Sequence, residues 1–374
     1  MQRIWIAIVI AGCSSKSPPA ATGSGSATTG SATGSGSGSA MAGSGSAATG
    51  SGSAAAGSGS AAPAAPVLAL PGGTADGIGM DYLAFDPRTN TVWVPAGNTG
   101  SVDVVDDATG KIQRIEGFKT QEMERRGHKR IVGPSSVTLG APGTVYVGNR
   151  GDFSVCAIDE KTLKKGTCGT LDSMPDGIQY VAPTKEVWVT APRDKTIRIL
   201  DGATLAQKAK LTFEGEPEGF AADPTRGRFY TNLEDKDATL AIDIKTHKTV
   251  ATWQPKCGED GPHGLRLDEK NGLLVIACST KVEAMDVKTG AITGSVDTGD
   301  GVDDIDFLDG RVYAGAAKAA KLTVASLDPK GAMAVVSTTP TADGARNGVA
   351  TTAGKVYLSH SKGSELVVIP PAGH

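Results

Sequence analysis

An all-β ring of seven four-stranded antiparallel blades, a β-propeller whose last blade is closed by the N-terminal strand, is the fold this sequence predicts. Three observations predict it. From residue 67 onward, runs of strand length rich in Val, Ile, Tyr and Trp recur, and none carries the 3.6-residue periodicity of a helix. The runs repeat as a unit seven times at a period of roughly 40 to 45 residues, the spacing of a four-stranded blade. The last unit lacks a fourth strand while the first is preceded by a spare one, and pairing the two removes two open sheet edges.

In chain order, residues 1–12 carry one cation, Arg3, and an apolar run too short to span a bilayer, which reads as an export signal. Ile10-Ala11-Gly12-Cys13 resembles the bacterial lipobox. That resemblance implies cleavage before Cys13, its lipidation, a membrane partner through the lipid anchor, and an extracytoplasmic location, facing the periplasm or at the cell surface. An ordinary signal peptide with a chance cysteine is the competing reading. Residues 13–66 are almost only Gly, Ser, Ala and Thr after that cysteine. Such a segment buries too little apolar surface to offset its chain entropy, so a flexible tether is expected.

The ring is expected over 67–374. Val67-Leu68-Ala69-Leu70 is the spare strand. The clearest unit is PDGIQYVAPTKEVWVTAPRDKTIRILD, residues 175–201: a Pro-Asp-Gly corner, strands at Ile178–Ala182, Glu186–Thr190 and Thr196–Leu200, and turns between them. Its corner recurs with variation around Asp81, Ser135, Glu218, His263, Asp303 and Asn347. Its second strand recurs as TVWVPAG, TVYVGNR, RFYTNLE, LLVIACS, RVYAGAA and KVYLSHS, and its third strand recurs after each. Fourth strands follow in the middle repeats, at Ala206–Phe213 and Thr249–Gln254 for instance, but not after the last third strand, Leu366–Ile369. Trp93 and Trp188 occupy matching positions and are expected to pack between blades, with Trp253 on an outer strand.

The chain is formally −3; of its 37 Lys and Arg only Arg3 and Lys16 precede Asp76, so the ring carries 35 against 40 acids, a net −5. A mildly acidic ring is a poor nucleic-acid binder, and no nucleic-acid partner is expected. The one basic cluster, KTQEMERRGHKR over 119–130, is expected to be a solvated loop. Besides Cys13 there are four cysteines, which allow three pairings. Cys156 and Cys168 fall equidistant from a hairpin turn, and Cys257 and Cys278 at one end of one blade, so the expected disulfides are 156–168 and 257–278.

Strands such as RFYTN, KVYLS and TVYVGN, each followed by a strand ending in Asp-x-x-Thr/Leu, resemble the YVTN-type seven-bladed propeller repeat, and the segment from Cys257 to Phe307 resembles the bacterial YncE-like proteins of that group. The resemblance covers 67–374 and implies the fold. Relatives on that ring include lactonases, haem d1 domains and surface-layer proteins, so it implies no single activity.

In such a ring the innermost strands line a central channel, and the second corner residue points near the axis seven times: Asp81, Ser135, Asp176, Glu218, His263, Asp303 and Asn347. Asp176, Glu218, His263 and Asp303 are candidate metal ligands, for Ca²⁺ by ligand type or a transition metal if the imidazole joins. Corners also favour Asp, Asn and Ser simply because these bond local backbone N–H groups, and that reading stays open. The same face is expected to carry Asn149, Arg150, Arg193, Asn232, Arg346 and His360, whose guanidinium forks either grip an anion or neutralise the acids. No G-x-S-x-G, H-E-x-x-H, C-x-x-C or phosphate loop is present. Two functions follow: a tethered, monomeric binding or scaffold module for a small ligand, polymer or protein, or a metal-assisted hydrolase of lactone type using the channel carboxylates and His263.

Overall fold

A computed structural model describes residues 65–371 apart from Arg126. The export signal, Cys13 and nearly all of the expected tether lie outside the described residues. Within them the chain forms seven four-stranded antiparallel sheets and one separate two-stranded hairpin. From inside outward, six blades run in sequence order. Their innermost strands are Ala84–Asp86, Pro134–Leu139, Ile178–Val181, Pro217–Asp223, Pro262–Asp268 and Val302–Leu308, blades 1 to 6. Blade 7 takes Arg346–Ala350, Val356–His360 and Glu365–Ile369 from the C-terminal end. Its outer strand is Val67–Ala69, which pairs antiparallel as Val67 with Val367, Leu68 with Leu366 and Ala69 with Glu365. The predicted closure is therefore the observed one.

The second strands read almost entirely buried because each is covered by the neighbouring blades on both faces. Trp188 stacks on Phe229 of the next blade with centroids 4.5 Å apart, and Trp93 is buried among Val137, Val145 and Val147 of blade 2. An aromatic ring at such a seam removes about 150–250 Å² from water, which makes these positions the main adhesive between blades. Across the closing seam, the Tyr357 hydroxyl donates to Asp107 Oδ1 at 2.9 Å, with Lys355 beside the same carboxylate. Where third strand turns to fourth, Asp106, Asp159, Asp201, Asp243 and Asp286 each accept from the backbone N–H and the hydroxyl of the threonine three residues on. The repeated Asp-x-x-Thr is thus a side-chain-capped turn, made because a short carboxylate reaches those donors without straining the chain.

Both expected disulfides form, Cys156–Cys168 and Cys257–Cys278, with Cα atoms 4.0 and 5.1 Å apart. Two disulfides suggest an oxidising, extracytoplasmic environment. Among the described residues no helix is long and apolar enough to cross a membrane.

The basic cluster departs from expectation. It is not a loop: Gln121–Arg125 and His128–Val132 form an antiparallel hairpin between blades 1 and 2. Alternation of Met123 and Ile131 with charged residues carries a strand period, and the hairpin is pinned at its base by Gln121 Nε2 donating to the Arg150 carbonyl at 2.9 Å. Blade 1 departs too. Its innermost strand is shortened, because Tyr82 pairs in parallel with Ser136 of blade 2 instead of continuing its own sheet.

Removing the chain up to Pro71 strips the outer strand from blade 7 and uncovers Leu366 and Val367, both fully buried in the closed ring. The truncated chain is expected to melt several degrees lower in calorimetry, at about 2–4 °C per kcal/mol lost for a domain of this size. An unchanged melting temperature would show that closure contributes no stability.

Candidate functional site at the channel

In blades 4, 5 and 6 the innermost strand opens with a residue buried between blades, then one half-buried on the axis, then one packed against the next blade. In blades 4 and 5 the third of these is Gly219 and Gly264. A Cβ on Gly219 would stand 2.0 Å from the His263 carbonyl oxygen, and one on Gly264 2.4 Å from Asp304 Oδ1. No side chain fits there, because neighbouring inner strands approach each other at backbone distance near the axis. A register shift follows in both strands, between Pro262 and Leu265 and between Pro217 and Phe220. The same shift occurs in blade 6 between Val302 and Ile305.

The second residues do meet. Arg150 reaches in from blade 2 and binds Asp81 Oδ2 at 2.7 Å and the Asp176 carboxylate. The Tyr82 hydroxyl donates to Asp176 Oδ2 at 3.2 Å. Asn347 Nδ2 donates to Asp81 Oδ1 at 3.2 Å and to Asp303 Oδ2 at 2.9 Å, while its Oδ1 accepts from the Asp304 backbone N–H. Arg346 pairs with Asp303 at 3.1 Å. On the other side of the axis, His263 Nε2 lies 3.1 Å from the Ser279 hydroxyl and Nδ1 lies 3.3 Å from Glu234 Oε1. One donor atom each from Glu218, His263 and Asp303 fall within 4.8 Å of one another.

The electrostatics follow from burial and crowding. Burial, against the pull of Arg150 and with the push of Asp176 and Asp303, drives the Asp81 carboxyl up to about 6. Burial, the hydrogen bond that the protonated Glu218 carboxyl donates to Glu234 and the neighbouring carboxylates drive Glu218 well above the usual carboxylate range. Burial works to lower the His263 pKa, but the hydrogen bond to Glu234 and the charges of Asp303, Glu234 and Asp260 outweigh it and raise it. Arg150 is held charged by Asp176 and Asp81 although burial works against it.

Of the other residues expected on this face, Ser135 lies 3.5 Å from the Asp176 carbonyl. Asn232 Nδ2 donates to the His263 carbonyl at 2.7 Å and so positions the imidazole's backbone. Asn149 is buried and braces the Lys119 carbonyl and Asp152, away from the axial groups. His360 pairs locally with Glu365 at 2.9 Å. Arg193 is exposed on the turn Pro192–Asp194 and joins none of these pairs. It follows a second strand, as Arg150 does, but the turn directs it outward.

Sequence reasoning missed Tyr82, Glu234, Arg266, Asp304 and Asp306. The Tyr82 and Phe220 rings, from opposite blades, meet with centroids 5.6 Å apart and divide the channel. Above them is a narrow niche lined by Asp81, Glu218, Asp303 and Asp304; below them is a cavity of ≈ 490 Å³ that runs to the opposite face. Arg266 sits on the cavity side of the partition, bound through Nη1 and Nη2 to Asp304 at 3.2 and 2.8 Å.

Neither the protein-family models nor the curated proteins contain a match to this chain. Among solved structures the chain is similar to a component of the mitotic checkpoint complex, with 14% identity, a TM-score of 0.65, and 81% of this chain and 90% of that one covered. It is similar to Kuenenia stuttgartiensis hydrazine synthase at 13%, TM-score 0.62, covering 81% and 99%. It is also similar to a catalytically inactive virginiamycin B lyase from Staphylococcus aureus with quinupristin, at 13%, TM-score 0.62, covering 80% and 97%. At such identities the likeness shows the fold alone: a seven-bladed β-propeller, an architecture commonly used as a binding or scaffold module.

A carboxyl whose folded pKa is raised binds protons in the folded state that the unfolded chain has released. For Asp81 that window runs from 3.8 to about 6, and through it wild-type stability falls as pH rises. The stability of Asp81→Asn relative to wild type is therefore expected to improve from pH 4 to pH 7 in denaturant titrations. A difference independent of pH would contradict the raised pKa.

Proposed function

We propose that this chain is an extracytoplasmic binding module, held to a membrane by a lipid on Cys13, whose near channel face takes a divalent cation as the centre of its ligand site. The carrying observation is the convergence of Glu218, His263 and Asp303, with donor atoms within 4.8 Å of one another. A mixed carboxylate and imidazole set favours Mn²⁺ or Zn²⁺ over Ca²⁺. Asp176 leaves the set of candidate ligands, since Arg150 and Tyr82 already hold it. Glu218 must lose its proton to coordinate, so loading would release protons and strengthen with pH. The YVTN and YncE-like resemblance supports the ring and its exported setting. The lactone-hydrolase reading stands second, because Arg150 and Asp176 are bonded to each other, and Asn347 to Asp81 and Asp303, rather than turned toward an open cleft.

Saturating Mn²⁺ or Zn²⁺ is expected to raise the melting temperature by about 3–5 °C. Glu218→Gln should abolish the shift, and Ca²⁺ should give less. No shift in the wild type, or the same shift in the variant, removes the site. For the anchor, Cys13→Ser is expected to move the protein from the membrane pellet to the soluble fraction, with loss of the N-terminal lipid by mass spectrometry. Retention in the pellet would overturn the lipid assignment.

A further inference from the structure

The far half of the channel has no role in the near-face site. It is closed above by the Tyr82–Phe220 pair and opens on the face where the first strands turn into the second. Its volume, ≈ 490 Å³, lies in the range of small-ligand sites, about 300–1,000 Å³. Phe85, Leu139, Leu267 and Phe307, all half-buried, supply apolar wall.

Two charged side chains line it, Arg266 and Asp306. They are not equally compensated. Arg266 is gripped from behind by both oxygens of Asp304, whose side chain is only 7% exposed. Asp306 receives one backbone hydrogen bond, from Ala350 N–H at 2.8 Å, and its other oxygen lies 3.5 Å from Arg266 Nε, beyond ordinary hydrogen-bond length. With both carboxylates ionised the trio is −1: one guanidinium serves two carboxylates, and Asp306, facing the cavity, has the longer of the guanidinium's two ion pairs. A half-buried charge in an apolar wall is stabilised by a counter-charge brought to it.

We propose that this cavity is a second ligand pocket, for a small organic ammonium with an apolar body: the ammonium on Asp306, the body against the aromatic and aliphatic wall. The partition separates it from the near-face donors, so the two sites stand or fall independently.

The test is calorimetric titration of the full chain with 2-phenylethylamine, 2-phenylethanol and 3-phenylpropanoate, which share a body and differ in head charge. The amine is expected to bind best and the carboxylate worst. Asp306→Asn keeps an acceptor for the Ala350 N–H and is expected to cut the amine's advantage over the alcohol by roughly five- to tenfold, the scale of a partly exposed ion pair. Ala222→Phe, which narrows the cavity without touching the charged groups, should weaken amine and alcohol alike. The proposal is overturned if none of the three binds, if the carboxylate binds as well as the amine, or if the amine's advantage survives in Asp306→Asn.

Discussion

Seven inner strands meeting on one axis bring more carboxylates together than so small a space tolerates, and the buried guanidinium of Arg150 between Asp81 and Asp176 is what makes the arrangement stable. Two ionised acids without it would face each other across a region where charge is poorly screened. Asn347 performs the neutral version of the same task between Asp81 and Asp303. Opposite them Glu218 and Glu234 are joined by a hydrogen bond, and burial together with that bond holds a proton on Glu218. One face of the ring therefore holds two solutions to the same problem, a buried guanidinium between carboxylates on one side and a retained proton on the other. Only the second leaves donor atoms for something else.

Much of this was readable in the residues. The second and third strands of blade 3 end within a residue of where Trp188 and Ile199 place them, because full burial leaves β-branched and aromatic residues no other role. The cysteine pairs followed from their distance to a turn or to a strand end. Of the axial list, Asp81, Asp176, Asp303 and Asn347 are tied together through shared partners, and Glu218, His263 and Asp303 bring donor atoms within 4.8 Å of one another.

The missed residues have a common cause. Strict alternation from His263 would send Leu265 and Leu267 to the axis, but the register shift turns Leu265 into the core between blades and presents Arg266 instead. Asp306 is displaced in the same way after Asp303. A shift that depends on how the next blade's inner strand packs against it is not visible in one strand's own pattern. Likewise, Tyr82 reads as the start of a strand but pairs with a neighbouring blade, a choice made by contacts remote in sequence.

The clasp between Leu68 and Leu366 also sets an order of assembly. The strand synthesised first in the ring finds its place only when nearly the whole remaining chain exists, so its pairing has the longest sequence separation in the molecule. Until then two sheet edges face outward across the gap, one at each end of an otherwise complete arc, and each is a template for a foreign strand. The interval before that last pairing is when the molecule is most open to joining with its own copies.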